Sequence, residues 1–387
     1  MAEHAVTVSG LTKSYGKNQE PAVDGVSFEV SKGELFGLIG PDGAGKTSIF
    51  RMLTTLILPD KGSAQVIGYD IVKDFKQIRK RIGYMPGRFS LYPDLTVEEN
   101  LNFFATVFKT SIKENYHLIE GIYTQIEPFK NRRAGKLSGG MKQKLALCCA
   151  LIHKPEILFL DEPTTGVDPI SRKEFWEMLK RLKAQHITIV VSTPYMDEAT
   201  LCDRIALMQN GKILSIDKPE TMLSSYPQPL FAIKAHNMHR LLLALRNYPN
   251  TLSAYAFGEY IHLTFKNEAF SRQNGALHGH AGVSNSYAET SNNGIETSNS
   301  YTETSNSNIE PSNLNIETSN SNIEASNSKI EPFNYGKETS NNQTSPLKTE
   351  TVEKDLIAFL KNQGLTDIEF KPEVAGIEDY FIDLLRS

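Results

Sequence analysis

A glycine-rich stretch, GPDGAGKTS, carries the strongest chemical signal in the sequence. It fits the spacing GxxxxGK[ST], follows the apolar run ELFGLI and precedes the helical pattern SIFRML, the context that a phosphate-binding loop needs. Backbone N–H groups of such a loop wrap phosphate oxygens, and the start of the following helix adds a partial positive charge. We therefore predict a nucleotide phosphate site formed by Gly40, Pro41, Asp42, Gly43, Ala44, Gly45, Lys46, Thr47 and Ser48.

Two acidic residues farther along the chain suit the same chemistry. In such a loop Lys46 reaches the β and γ phosphates of ATP, and the Thr47 hydroxyl binds Mg²⁺. Asp161 and Glu162, in ILFLDEP, follow an apolar strand pattern. One carboxylate at that place can hold the metal, and the second can polarise the attacking water. We predict Thr47 and Asp161 as metal ligands and Glu162 as the catalytic residue.

A second anion-binding motif lies between these two stretches. LSGGMKQKLALCCAL, from Leu137 to Leu151, reads as a Gly–Gly turn that opens an amphipathic helix. The N-terminus of a helix attracts anions, yet this one has no use within the phosphate loop of its own chain.

The motif LSGGMKQ resembles the signature of ABC-type ATPases. Phosphate loop, signature and DE strand occur in the order of that family, and the resemblance covers residues 4 to about 220. In the family, two nucleotide domains face head to tail, and each supplies its signature to the ATP held by the other. The resemblance implies that the opposite nucleotide is contacted by Leu137, Ser138, Gly139, Gly140 and Met141.

Smaller matches extend the resemblance. Tyr15 occupies the place of the aromatic residue that stacks on adenine, although by residue type alone it could equally be a strand-edge tyrosine. Asp168, in TTGVDP, resembles the aspartate that links the two sites across the dimer. The motifs are most similar to one half of bacterial drug-export ATPases that carry two such halves in one chain, and the tail GIEDYFIDLL is similar to the end of exporter ATPases with a small accessory domain.

Two positions depart from the family pattern. Gly87 stands where the family usually has a glutamine that contacts Mg²⁺ and the water, and Pro194 replaces the histidine that hydrogen-bonds the γ-phosphate. Neither glycine nor proline has a side-chain donor. These changes predict a slow site, and the alternative that water or a neighbouring group takes over stays open.

The pattern of strands and helices predicts the domain organisation. Apolar β-branched runs alternate with helical patterns over residues 1–220, which predicts an α/β domain with a mostly parallel sheet, here a P-loop NTPase domain of the ABC type with a helical subdomain. Residues 221–270 and 351–387 predict a small α+β accessory domain with the order strand, helix, strand, strand, helix, strand, helix. A low-complexity insertion, residues 271–350, interrupts it.

Within the insertion, Tyr287 to Asn342 form eight seven-residue units, each with glutamate third. A coiled coil needs two apolar positions per seven, whereas these units mostly offer one, and Pro311 and Pro332 would break a helix. We therefore predict that the insertion is disordered.

Deleting Tyr287–Asn342 and joining the ends with a short linker is expected to leave nucleotide binding and melting temperature almost unchanged. The closure cost of a loop grows only with the logarithm of its length, by about 2 kcal/mol between roughly 8 and 80 residues. Calorimetry of the two forms checks this, and a drop of more than a few degrees would mean that the repeats are structured.

Composition limits the remaining functions. A net charge of −4 and a pI near 6.2 give no basic footprint for nucleic acid. The sequence has neither an export signal nor about 18 uninterrupted apolar residues, so we expect a cytoplasmic location. Three cysteines without CxxC spacing, Cys148, Cys149 and Cys202, predict buried reduced thiols.

Together with the resemblance, these features imply an ATP-binding subunit of an exporter on the inner face of the plasma membrane. Its partners would be multi-span membrane subunits and a second, non-identical ATPase subunit; the alternative is a homodimer with two slow sites. The alternative function is a soluble regulatory or ribosome-associated ATPase. Such proteins usually have two ATPase domains and basic linkers, whereas this chain has one domain and an acidic insertion.

Overall fold

A computed structural model of the chain describes residues 4–16, 20–87, 91–266 and 346–386. The repeats Tyr287–Asn342 lie outside these residues, so their disorder stays a prediction. Contacts divide the chain into two compact units: Met1–Ile233 with Tyr255–Thr264 and Glu369–Ser387, and Lys234–Ala254 with Phe265–Ile368. The predicted domain boundaries stay predictions.

The described strands are β1 (His4–Lys13), β2 (Val23–Ser31), β3 (Leu35–Ile39), β4 (Lys61–Val66), β5 (Tyr69–Asp70), β6 (Ile82–Met85), β7 (Ile157–Asp161), β8 (Thr188–Thr193), β9 (Arg204–Gln209), β10 (Lys212–Asp217), β11 (Leu230–Lys234), β12 (Thr251–Phe257), β13 (Tyr260–Phe265) and β14 (Glu369–Glu373). The described α-helices are α1 (Lys46–Leu53), α2 (Phe75–Arg81), α3 (Val97–Val107), α4 (Ile112–Tyr123), α5 (Gly139–Leu151), α6 (Pro169–Ala184), α7 (Pro219–Ser224), α8 (Met238–Asn247), α9 (Pro346–Asn362) and α10 (Ile377–Leu384).

A six-stranded sheet forms the centre of the first unit, in the order β10-β9-β3-β8-β7-β6. All neighbouring pairs are parallel except the antiparallel edge pair β9–β10, which confirms the predicted mostly parallel sheet. Every residue of β3, β7 and β8 is buried. These strands read as nearly continuous apolar runs because both faces of the sheet are covered.

The topology brings the chemical motifs to one edge. Strand β8 lies between β3 and β7, and all three run in the same direction. Their carboxyl ends therefore place the loop after Ile39, the segment after Thr193 and the residues at Asp161 side by side. A second, antiparallel sheet in the order β2-β1-β4-β5, which the sequence analysis did not separate from the first, lies in the same unit.

The signature helix differs from its prediction. Gly139 and Gly140, which were predicted to form a turn before the helix, are the first two residues of α5. The helix is not amphipathic, because all seven residues from Leu145 to Leu151 are buried. The helix is enclosed on all sides over its second half, where it belongs to the core that also contains Leu101, Ile119 and Trp176. Only its N-terminal end, at Ser138 and Gly139, is exposed.

The C-terminal elements follow the predicted order of β11, α8, β12, β13, α9, β14 and α10. Their strands form a sheet in the order β12-β13-β11-β14. Within the first unit, the buried Asp379 of α10 accepts hydrogen bonds from Tyr255 (2.5 Å) and from the backbone of Gly376 (2.7 Å), and bonds His262 (2.6 Å). In the second unit, Arg240 of α8 donates to the Gln363 carbonyl just after α9 (2.9 Å).

The three cysteines are confirmed as free and buried. Burial raises the pKa of the Cys148, Cys149 and Cys202 thiols, so they stay protonated and unreactive at neutral pH. Among the described residues, no helix combines the length and the apolar character needed to cross a membrane.

Candidate functional site

The glycine-rich loop wraps tightly between β3 and α1. Gly45 has a φ of +104°, and a Cβ there would lie 2.2 Å from the Ala22 carbonyl oxygen. A Cβ on Gly40 would lie 2.3 Å from the Met208 carbonyl oxygen. Only glycine fits these two positions, so the backbone can close around a small anion at the start of α1.

Lys46 points back over its own loop. Its Nζ donates to the carbonyl oxygens of Gly40 (2.8 Å) and Pro41 (3.0 Å), and it forms an ion pair with Glu162 Oε1 (3.3 Å). The side chain of Lys46 is 3% exposed. The ammonium is thus held beside the loop and at the phosphate pocket, which is lined by residues 43–48 together with Ala22 and Glu162.

Asp161 and Thr47, the two predicted metal ligands, lie together. The Thr47 hydroxyl donates to Asp161 Oδ1 (3.1 Å). Ser192, at the end of β8, donates to the same oxygen (2.7 Å). Ser192 was not predicted, because its only signal in the sequence is a polar residue near the end of an apolar strand. Because Asp161 is 2% exposed, these two hydroxyl groups fix its carboxylate at the base of the pocket.

These oxygens suit a magnesium ion. A hydroxyl and a carboxylate within 3.1 Å of each other are hard donors of the kind that Mg²⁺ prefers. Magnesium in nucleotide sites is usually held by one or two carboxylates together with substrate phosphates and water. The described residues contain no group of three or more His, Cys, Asp or Glu side chains that would form an all-protein metal cage. The donor set therefore fits a metal that arrives with a nucleotide.

Glu162 has an unusual backbone. Its φ is +50°, a left-handed conformation that costs a non-glycine residue energy. Its N–H donates to the carbonyl oxygen (3.1 Å) and to the hydroxyl oxygen (3.1 Å) of Ser192, and these bonds hold the conformation. The carboxylate is thereby turned toward the phosphate loop, where it meets Lys46.

Tyr15 lies at the edge of this site. Its hydroxyl is 3.0 Å from the Ser48 hydroxyl, at the start of α1. The side chain is 57% exposed, so one ring face can receive a flat, apolar group such as a nucleobase.

Gly87 lines a cavity together with the two carboxylates Asp161 and Glu162. The cavity, of about 570 Å³, lies between α1 and the ends of β6 and β7. Its lining includes Thr47, Arg51, Tyr84, Gly87, Asp161 and Glu162. A Cβ at position 87 would lie 3.1 Å from the Asp161 carbonyl oxygen.

Pro194 follows β8 directly and is succeeded by a 3₁₀ helix, Met196–Leu201. The buried carboxylate of Glu198 in that helix accepts from the hydroxyl groups of Thr193 (2.5 Å) and Thr164 (3.1 Å) and pairs with Arg172 (3.0 Å). Nothing in the sequence pattern pointed to Glu198. It ties the segment after β8 to the chain that follows Glu162.

The signature residues lie at the start of α5. The Ser138 hydroxyl accepts from the Met141 N–H (3.4 Å) and caps the helix. Gly140 is packed against α6, because a Cβ there would lie 2.6 Å from the Ser171 hydroxyl. Leu137 is buried and anchors the turn in the core.

Asp168 caps the N-terminus of α6 by accepting from the Ser171 N–H (3.0 Å). This bond is the main cause that lowers the pKa of Asp168. The exposed Asp168 carboxylate therefore stays ionised at neutral pH.

Fold and site together define a phosphate-loop nucleotide-binding protein. Residues 23–165 match the family model described as ABC transporter. Over 276 residues the chain is 42% identical to the probable multidrug ABC transporter ATP-binding protein YbhF of Escherichia coli. The matched region covers 70% of this chain and 47% of the relative. It is 39% identical over 229 residues to the Nod factor export ATP-binding protein I of a Rhizobium species, covering 58% of this chain and 75% of the relative.

Solved structures agree with this fold. An ATP-binding subunit of an ABC transporter superposes with a TM-score of 0.52 at 27% identity, over 57% of this chain and 93% of the other. A dimeric ATP-binding cassette in a post-hydrolysis state, bound to ADP and Pi, superposes with a TM-score of 0.50 at 27% identity, over 55% and 98%. The chain belongs to the family of ABC transporter ATP-binding proteins. It spans about half the length of the E. coli relative (47%) and three quarters (75%) of the Rhizobium one.

Proposed function

We propose that this chain binds ATP with magnesium and hydrolyses it at a head-to-tail interface with a second ATPase subunit, which drives export by separate membrane subunits. One observation carries the proposal. The signature residues Ser138 and Gly139 are exposed at a helix N-terminus, whereas the phosphate pocket of the same chain is lined by the glycine-rich loop, Ala22 and Glu162. An exposed anion-binding end outside its own pocket suits the nucleotide of a partner.

Each candidate residue has a role in this proposal. Lys46 binds the β and γ phosphates, and Tyr15 stacks on the adenine. Thr47 and Asp161 hold the metal, which neutralises phosphate charge when it is bound. Glu162 leaves Lys46 and orients the attacking water, while Asp168 contacts the partner across the interface.

We place the slow site of an asymmetric dimer in this chain. Neither Gly87 nor Pro194 offers a side-chain donor to the water or the γ-phosphate. The buried Glu198 fixes the segment that contains Pro194 from inside the protein, independently of a nucleotide. The partner ATPase subunit is therefore non-identical and supplies its own glutamine and histidine.

Replacing Lys46 with alanine is expected to weaken MgATP binding by about 10- to 100-fold, because a hydrogen bond to a charged group contributes about 1.5–3 kcal/mol. Isothermal titration of the purified chain measures the affinity. The matched control is Lys113→Ala, which removes an exposed lysine of α4 and should leave binding unchanged. A wild-type chain without saturable ATP binding would overturn the proposed function, and co-purification with ribosomes instead of membrane proteins would favour the regulatory alternative.

The surface that begins at position 91 supports docking to a membrane subunit. Tyr92 (45% exposed) and Phe103 (39% exposed) lie with ring centroids 4.6 Å apart. The fully buried Asn100 holds Tyr92 in place, because its side chain bonds both the backbone N–H (2.9 Å) and the carbonyl oxygen (3.1 Å) of Tyr92. Leu91, the residue before Tyr92, belongs to the buried core, so a cysteine at that position would not be accessible.

Cysteines introduced at Tyr92 or Phe103 are therefore expected to crosslink to the membrane subunit, which places the chain at the cytoplasmic face of the plasma membrane. Mass spectrometry of the purified assembly identifies the partner of each crosslink. The control variant is Leu243→Cys, which replaces an exposed apolar residue on α8 of the second unit and should not crosslink to the membrane subunit. Crosslinks from Tyr92 that reach only the ATPase partner would show that docking occurs elsewhere.

A further inference from the structure

The cavity beside Gly87 contains two polar side chains that the proposed mechanism does not use, Arg51 and Tyr84. Arg51 follows Thr47 by four residues on α1, so both side chains lie on the same face of that helix. Tyr84 of β6 is paired in register with Phe159 of β7. Because side chains alternate along a strand, Tyr84 is on the same face of the sheet as Asp161, two residues beyond Phe159.

Arg51 and Tyr84 line the same cavity. Because a guanidinium group can only donate, the phenolic oxygen is the acceptor in any hydrogen bond between them. The hydroxyl hydrogen of Tyr84 is then left to donate in another direction. Burial, and after it the charge of Asp161, raises the pKa of Tyr84 to about 12. The hydroxyl therefore keeps its hydrogen at neutral pH and remains a donor.

The space available to this donor is the space that a longer side chain at position 87 would fill. A Cβ on Gly87 would lie 3.1 Å from the Asp161 carbonyl oxygen and 3.9 Å from the Glu162 Cβ. An amide in this place would face the two carboxylates from the β6 side. Tyr84 reaches the same cavity from β6 itself.

We propose that Tyr84, beside Arg51, is a positioning residue that donates a hydrogen bond on the Asp161 side of the metal site, in place of the side chain missing at position 87. This inference rests on the proposed function, because it concerns the same magnesium and nucleotide. The Tyr84 hydroxyl would replace the polar group that is absent at position 87, but not the one that is absent at position 194. The site would thus keep an ordered metal while it remains slow in hydrolysis.

The test is Tyr84→Phe in the full-length chain. Loss of a partner in the outer shell of a metal site costs about 10- to 100-fold in metal affinity or activity. We expect the affinity for Mn²⁺, measured by electron paramagnetic resonance with a non-hydrolysable ATP analogue, to fall at least about tenfold. Nucleotide affinity without metal and melting temperature should stay at wild-type values. Adding Gly87→Gln to Tyr84→Phe should restore most of the Mn²⁺ affinity.

A matched control separates this role from packing. Tyr69→Phe removes the hydroxyl of another half-buried tyrosine that packs against the same core, outside the cavity, and it should leave Mn²⁺ affinity unchanged. An unchanged Mn²⁺ affinity in Tyr84→Phe, with intact nucleotide binding, would overturn the role of Tyr84 alone. A loss that appears together with a lower melting temperature, and that Gly87→Gln does not restore, would also overturn it. Failure of the wild-type chain to bind the nucleotide analogue at all would instead overturn the proposed function.

Discussion

In the reconstituted exporter, Ser138→Arg in this chain is expected to abolish most ATP turnover, whereas Glu162→Gln in the same chain should cost much less. Ser138 is exposed at the N-terminus of α5, where the partial positive charge of the helix would meet the nucleotide held by the partner. Arginine puts a long cation at that end and fills the space meant for phosphate. In the proposed asymmetric dimer, Glu162 would serve only the slow site of its own chain.

The control for Ser138→Arg is the same replacement at Ser111. Ser111 is exposed and caps α4 through the Glu114 N–H (3.2 Å), much as Ser138 caps α5. Loss of either cap costs about 1 kcal/mol, so both variants should stay folded. Only the variant at Ser138 should lose turnover.

The partner subunit gives the decisive comparison for Glu162→Gln. The equivalent change in the partner should reduce turnover by far more than the change in this chain. Vigorous ATPase activity of this chain alone, abolished by Glu162→Gln, would rule out the asymmetric arrangement. A homodimer with two slow sites would instead show low turnover and no difference between the two subunits.

Sequence alone predicted the phosphate loop, the DE strand and the parallel sheet because each rests on a local pattern. A glycine spacing, an apolar strand and a following helix are all visible within about ten residues. The order of the C-terminal elements was predicted for the same reason. Even the contact between Thr47 and Asp161 follows from the rule that parallel strands present their carboxyl ends at one edge.

The contacts that hold the site together were not predictable. Glu198 bonds Thr164, 34 positions earlier, and Ser192 bonds Asp161, 31 positions earlier. The periodicity of apolar residues along the sequence contains no information about such long-range contacts. The error about α5 has the same origin: its second half follows the local pattern of an amphipathic helix, but core elements distant in sequence cover it. The proximity of Arg51 to Tyr84 is likewise visible only after α1 has packed on the sheet.

If this chain contains the slow site that we propose, placing polar side chains at positions 87 and 194 is expected to accelerate ATP cleavage there. One positioned polar group in a transferring site contributes about 10²–10³ in rate. Pro194→His returns a side chain that can hydrogen-bond the γ-phosphate, and we expect it to raise the single-turnover rate of ATP cleavage by about 10²-fold. Gly87→Gln should add less than about tenfold, because Tyr84 already donates into that cavity.

The structure also limits what each replacement can achieve. The backbone of Gly87 is outside the left-handed region, so glutamine is allowed there, but its Cβ would meet the Asp161 carbonyl oxygen at 3.1 Å and displace it by a few tenths of an ångström. Position 194 is half-buried and directly follows Thr193, whose hydroxyl donates to Glu198. A histidine at position 194 would therefore be attached to a backbone segment that these hydrogen bonds hold in place.

Rapid-quench measurement of ATP cleavage in the Pro194→His chain tests the expected increase in rate. Adding Glu162→Gln must remove that increase, because the accelerated reaction still needs the water that Glu162 orients. If the Pro194→His chain cleaves ATP no faster than wild type, another group already contacts the γ-phosphate. The absence of a histidine would then not be the cause of slow hydrolysis.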